Sequence, residues 1–156
     1  MPIKAELDAI DWKILKELQN NGRITNVELA SKVGISAPPC LRRVRRLEDE
    51  SIIKTYQAIL DGAQIGQDLV TFCFVGLHRQ SEIDLRGFAA LVYQWPLVRK
   101  AWMISGAFDF LLQCVAPNIT TFQNFVLEHL TAAANVASVR TTLTMRLIKD
   151  EPPFIL

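Results

Sequence analysis

Apolar positions in the first fifty residues recur at intervals of three and four, the spacing of one helical face. Ile10, Ile14, Leu15 and Leu18 follow Asp8, with Lys and Glu between them. Asp8 is a good N-cap, so a helix is expected from Ala9. Asn20-Asn21-Gly22 stops it, Gly22 being able to take the left-handed conformation beyond the C-cap. Thr25-Asn26-Val27-Glu28 is a capping box. It opens a short helix with Val27, Leu29, Ala30 and Val33 apolar, ending at Gly34. Ser36 can cap a third helix, with Pro38 and Pro39 in its first turn, where a missing N–H costs little. A short connection containing glycine between the second and third helices is the mark of a helix-turn-helix. After Glu50, "IIKTYQAILD" mixes β-branched and aromatic residues and reads as a strand or short hairpin, the wing of such a domain. "DGAQIGQD" reads as a linker.

Beyond the linker the period changes. "LVTFCFVGLH" (69–78) is a continuous strand-like run. Ser81-Glu82-Ile83-Asp84 opens a helix with Leu85, Phe88, Ala89 and Val92 apolar, and Trp95-Pro96 ends it. "VRKAWMIS" and "AFDFLLQCVA" are strands around a turn at Ser105-Gly106. A second helix starts at Asn118 or Thr120 and points Phe122, Phe125, Val126 and Leu130 inward. "VASVRTTLTMRLI" alternates, with Val139, Leu143, Met145 and Leu147 on one side and Arg140, Thr142, Thr144 and Arg146 on the other. The order βαββαβ is the ferredoxin-like arrangement. The fold class is therefore α+β: a helix-turn-helix domain over residues 1–60, a linker over 61–68 and a ferredoxin-like domain over 69–156.

Only Thr71 and His78 interrupt the apolar run 69–78. Helices in this topology cover one sheet face, so the other face would be apolar and wet. Packing it on the same face of a second copy removes that cost, and a homodimer through this domain is expected. The alternative is a strand covered by linker and tail.

Charge then changes the picture. The formal net charge is only +1, but residues 36–47 hold four arginines and no acid. On a wheel of 3.6 residues per turn, Leu41, Val44 and Leu47 form the underside of the third helix. Pro38, Pro39, Arg42 and Arg46 form a ridge opposite, with Arg43 and Arg45 on its flanks. Small rigid residues at the N-terminal end and guanidinium forks behind them suit the major groove, where arginine pairs with guanine or with phosphate oxygens. A merely solvated face usually carries both signs, as i, i+4 pairs. The expected partner is double-stranded DNA, because no aromatic stacking platform for single strands accompanies the basic residues.

These residues bring a family into view. "LDAIDWKILKELQNNGRITNVELASKVGISAPPCLRRVRRLE" closely resembles the helix-turn-helix of the Lrp/AsnC (feast/famine) transcriptional regulators. "ISGAFDFLLQCVAPNITTF" resembles the G-x-[FY]-D-[FY] region of that family's C-terminal ligand-binding (RAM) domain. The resemblance runs from about Leu7 to Lys149. It implies dimers that assemble into tetramers, octamers or higher discs, a small effector, usually an amino acid, held between dimers, and DNA wrapped or bent around several dimers. Carried over by position, it places Ser36, Pro38, Pro39, Arg42, Arg43, Arg45 and Arg46 at DNA. It places Gly106, Ala107, Phe108, Asp109 and Phe110 in the effector loop, and Arg140, Thr142 and Thr144 where the pocket and dimer–dimer contact are completed. Asn118 stands where the family often has Asp, and "EPPFIL" has no counterpart.

Other residues have alternatives. Asp109 could hold an effector's amino group or bond backbone N–H groups as a turn carboxylate. Thr142 and Thr144 could bond a zwitterion or simply edge a sheet. Trp102 is core or pocket wall. His78 and His129 have no companion ligand or nucleophile. Cys40 lies beside the buried stripe as a packed residue, and the three cysteines show no metal or disulfide spacing. No metal or cofactor site and no Ser/His/Asp or acid–base set is apparent, so an enzyme of the dimeric α+β barrel type is the weaker alternative. An architectural DNA organiser without an effector is another. "MPIKAELD" lacks a signal-peptide core and no run is long enough to cross a bilayer, so a cytoplasmic, non-membrane protein is expected.

Overall fold

The computed structural model describes residues 6–152 and 154–156. Two compact units share the chain: one runs up to Ile59 and takes in Lys149–Leu156, the other is Leu60–Ile148.

The first unit holds α1 (Ala9–Asn20), α2 (Asn26–Val33) and α3 (Ala37–Asp49). Asp8 caps α1 as expected, accepting the Ile10 and Asp11 N–H groups, while the Asp11 carboxylate accepts the Asp8 N–H at 3.1 Å and completes a capping box. Thr25 and Glu28 make the same exchange at the head of α2. Ile14, Leu29, Ala30, Val33, Cys40 and Leu47 are the buried core, with Ile10, Leu15, Leu18, Val44, Ile52 and Ile53 packed around them. Val27 lies outside it, exposed.

Two local expectations are corrected. Gly22 is not left-handed: α1 ends on an extended Asn21, whose side chain accepts the Arg23 N–H at 3.0 Å, so a side-chain turn replaces the glycine cap. No wing strand forms in 52–61. Ile52 and Ile53 both donate to the Leu47 carbonyl and pack on the core, and no other strand of this unit offers itself to the residues that follow. Tyr56 closes the segment by donating to Glu48 Oε1 at 2.9 Å, and burial plus that carboxylate push the phenol up to about 12.

The turn out of α3 is made by Ser51 at φ 57°, a left-handed position held by a non-glycine residue. Left-handed backbone costs an L-residue about 1–2 kcal/mol, of which glycine's greater chain entropy returns about half. Ser51→Gly should therefore stabilise this unit by about 0.5–1 kcal/mol, seen as a higher denaturation midpoint with an unchanged slope.

The chain end departs from the domain limits expected above. From Lys149 it joins the first unit instead of the 69–148 region. Phe154, Ile155 and Leu156 line a groove of about 890 Å³ with Leu7, Trp12 and Tyr56, and Gln19 Nε2 donates to the Phe154 carbonyl at 2.6 Å. Apolar side chains at the terminus find apolar surface there.

The second unit contains β1 (Leu69–Leu77), α4 (Glu82–Gln94), β2 (Val98–Met103), β3 (Phe110–Ala116), α5 (Ile119–Phe125, continued by a π turn over Val126–Leu130) and β4 (Val136–Leu143). The four strands form one antiparallel sheet in the order β2-β3-β1-β4. This is the βαββαβ order read from the sequence. Cys73, Val75 and Leu77 of β1 and Phe110, Leu112, Cys114 and Ala116 of β3 are buried with Phe88, Val92, Phe122, Phe125 and Leu130 from the helices. Alternate residues on the same strands, Phe72, Phe74, Leu111 and Val115, are only half-buried, because no helix covers that face. Trp102 pairs with Leu111 and shares it; at 43% exposed, it is not core. The alternation read through Leu147 stops with β4 at Leu143. Thr144 is the last residue tied to β1, through Val70, and Met145 and Leu147 are exposed.

Far apart in sequence, Cys73 and Cys114 meet in this core with sulfurs 4.0 Å apart, as free thiols. The contact with Cys114 and burial push the Cys73 thiol up, and burial does the same to Cys40, so both stay protonated and unreactive.

Candidate DNA interface and effector region

Residues Ser36 to Leu47 build the first site. Ser36 is the N-cap of α3, but its hydroxyl makes no capping bond, and Pro38 and Pro39 occupy the first turn. Two of that turn's four N–H groups are thereby absent, leaving little unpaired donor surface at the end of the helix that faces outward. Asn26 of α2 fixes the turn, its Nδ2 donating to the Ala37 carbonyl at 2.8 Å.

The helix is rotated relative to the reading of its sequence. Its underside is Ala37, Cys40, Val44 and Leu47; Leu41 is 38% exposed. Cys40 takes the inner position, fully buried in the cluster with Ile14, Leu29, Ala30, Val33 and Leu47. This rotation re-sorts the arginines. Arg43 and Arg46 lean on α1, although the Arg46 side chain is still 43% exposed. Arg43 Nη1 reaches Asp8 Oδ2 at 2.7 Å and Asp11 Oδ1 at 2.8 Å, and Arg46 Nη2 reaches Asp11 Oδ2 at 2.5 Å. Asp11 is 1% exposed, so its charge depends on these partners. Asp11's backbone N–H and then the Arg43 guanidinium hold the Asp8 carboxyl below its ordinary range, while Asp11 and Asp8 raise Arg43. Arg42 and Arg45 are exposed and make no ion pair among the described residues. The expectation of four unpaired arginines is thus corrected to two held and two free, with Arg46 still on the exposed side.

The second region lies around residues 104–109, which join β2 to β3. Gly106 has φ 123°, a conformation that suits glycine. Asp109 precedes β3 rather than lying within it. Its N–H donates to the Val75 carbonyl, its carbonyl accepts from Ile104, and its Oδ2 accepts the Leu77 N–H at 2.7 Å and Gln80 Nε2 at 3.4 Å. The carboxylate anchors the loop to the end of β1, the turn-carboxylate alternative of the two considered. Phe108 packs tilted against Phe74, ring centres 5.6 Å apart, and the Arg140 guanidinium lies 5.5 Å from the Phe108 ring centre. Gly76 lies close to them: a Cβ there would come within 2.8 Å of Ser138 Oγ and 3.8 Å of the Phe108 ring, so the Ser138 hydroxyl would have to turn aside.

Gly106, Ala107, Phe108, Asp109 and Arg140 are therefore gathered at one end of the sheet. The other three expected residues are not. Phe110 is buried under the helices, and Thr142 pairs with Phe72 farther along β4. Thr144 spends its hydroxyl on the Val70 carbonyl at 2.8 Å. Sequence reasoning passed over Asp11, Phe74, Gly76 and Ser138. Only Asp11 left a signal, as the second acid of the D-x-x-D cap.

Comparison with known proteins agrees with both halves. Residues 7–54 match the winged helix-turn-helix DNA-binding family, and residues 70–154 match the Lrp/AsnC ligand binding domain. A DNA-binding transcriptional regulator carrying its own ligand-binding domain is the class these define. The chain belongs to the Lrp/AsnC family. It is 62% identical over 150 residues to the leucine-responsive regulatory protein of Rhizobium meliloti, covering 96% of each chain. The Escherichia coli K12 protein of the same name is 36% identical, with 93% of this chain and 88% of that one covered. Among solved structures, a Neisseria meningitidis transcriptional regulator in complex with L-Met superposes with TM-score 0.90 at 36% identity, covering 96% of this chain and 97% of that one. An AsnC family regulator of Agrobacterium tumefaciens gives 0.89 at 28% identity, with the same coverage. No described helix is long and apolar enough to cross a membrane.

Proposed function

We propose that this regulator reads duplex DNA with α3 in the major groove and that an amino acid bound by the second unit changes its DNA affinity or assembly. The observation that carries the DNA reading is the pair Arg42 and Arg45, exposed and unopposed among the described residues, behind the two prolines of the first turn. Arg43 and Arg46 support the same surface while bound to α1.

The amino-acid reading rests on the ligand-binding domain and on the L-Met bound by the Neisseria relative. Here the loop Gly106–Asp109 and Arg140 are its receiving surface: Arg140 supplies a cation for a carboxylate, Phe108 an apolar wall, and Asp109 holds the loop in place. Phe110, Thr142 and Thr144 complete the fold around it more than the pocket itself. The uncovered sheet face bearing Phe72, Phe74, Leu111 and Val115 supports a homodimer, which can assemble further to tetramers, octamers or larger rings in the cytoplasm.

Two measurements test this. A thermal-shift screen of the twenty amino acids should find one or a few that raise the melting temperature, by RT ln(1 + [L]/Kd) in free energy, and that alter gel-shift affinity. No response to any of them would leave a DNA organiser without an effector. Arg42→Ala should weaken a cognate site by about 1–3 kcal/mol and relax base preference at one position. A uniform loss across all sequences would make Arg42 a backbone contact instead.

A further inference from the structure

The capping box of α1 meets the recognition helix in a way its capping role does not require. A cap needs one oxygen for the free N–H groups of the first turn, and Asp8 Oδ1 supplies it at 2.9 Å to both Ile10 and Asp11. The other oxygens take arginine: Asp8 Oδ2 and Asp11 Oδ1 take Arg43, and Asp11 Oδ2, which also accepts the Asp8 N–H, takes Arg46. Two carboxylates thereby neutralise two of the four guanidinium groups on α3. They also fix those two in geometry, because Asp11 is fully buried and cannot follow a moving side chain.

We propose that Asp8 and Asp11 are positioning residues for sequence discrimination: they withhold Arg43 and Arg46 from indiscriminate phosphate pairing, so that binding is dominated by contacts that depend on sequence. Non-specific affinity grows with each phosphate neutralised, and each adds about 0.9 to the slope of log affinity against log salt. Contacts to base edges add little to that slope. Holding two cations in internal pairs lowers the non-specific term while leaving Arg42 and Arg45 for the specific one.

The inference rests on the reading of α3 given above, and its test separates the two. Asp8→Asn keeps the N-cap, since asparagine caps as well as aspartate, and removes one charge at an exposed position. Asp11→Asn removes the buried one. Glu50→Gln, at the far end of α3, changes the net charge equally without touching the arginines. Binding of the full-length protein to a cognate duplex and to a scrambled duplex is measured across salt concentrations. Asp8→Asn should steepen the slope by about one, so that affinity for scrambled DNA falls about threefold more than in the parent between about 50 and 200 mM salt. The ratio of cognate to scrambled affinity should drop by a similar factor, and Asp11→Asn should do the same or more. Slopes and ratios unchanged in Asp8→Asn, or moved as far by Glu50→Gln, overturn the inference while leaving the DNA reading intact. Should Asp11→Asn unfold, Asp8→Asn decides alone. If Arg42→Ala and Arg45→Ala also leave DNA affinity untouched, it is the α3 reading itself that fails.

Discussion

Replacing both Arg43 and Arg46 by methionine should cost the helix-turn-helix unit about 3–5 kcal/mol, the effect of stranding a buried carboxylate without its cations. Asp11 is 1% exposed, and those two side chains are its only cationic partners among the described residues. A unit of this size has little more stability than that to lose, so the variant should be largely unfolded in its first unit at ambient temperature. The sheet unit, whose core shares no residue with it, should remain folded. Trp12 reports the first unit and Trp95 and Trp102 the second, so single-tryptophan versions distinguish the two transitions. Adding Asp11→Leu to the double variant should recover much of the loss, because an apolar residue needs no counter-charge. A double variant that melts with its parent would show that water, not arginine, satisfies the carboxylate.

If the uncovered sheet face joins the homodimer proposed above, Leu111→Asp should leave a single chain of 17.6 kDa in sedimentation where the parent is a dimer or larger. Leu111 is half-buried at the centre of the uncovered face, paired with Phe74 on one side and Trp102 on the other. A carboxylate there would be desolvated without a partner in any face-to-face association. Loss of the dimer also unlinks the two recognition helices. Affinity for a two-half-site operator should then fall by about 10²–10⁴, the size of an effective-concentration effect, while binding to a lone half-site stays near its parent value. An unchanged mass would place the interface elsewhere.

Where sequence reading succeeded, the determinants were local. Asp8, Thr25, Ser81 and Asn118 each stand at the N-cap of a helix, and alternation along β3 separates buried from half-buried positions without exception. Where it failed, the deciding partner lay far away in the chain. The arginines of α3 looked unopposed because Asp11 is 32 and 35 residues upstream of them. β-branched composition suggests a wing, yet a strand exists only where a neighbour can share its hydrogen bonds, and residues 54–59 have none among the described residues of their unit. On a helical wheel Leu41, Val44 and Leu47 share one face, whereas the fold turns the helix far enough to bury Cys40 fully and leave Leu41 38% exposed. Asp109 was placed inside a strand because its flanking phenylalanines suggest one; its bonds to Val75 and Leu77 make it the hinge-pin of a longer turn.

One consequence concerns how the molecule is made. The groove beside Trp12 and Tyr56 receives Phe154 and Leu156, so the unit built by the first residues also includes the last ones. On the ribosome, α1 to α3 emerge early and can pack, but that groove keeps an open wall until residues 149–156 have been made. Removing residues 149–156 would therefore leave Leu7, Trp12 and Tyr56 facing water and cost the first unit stability although α1 to α3 are intact.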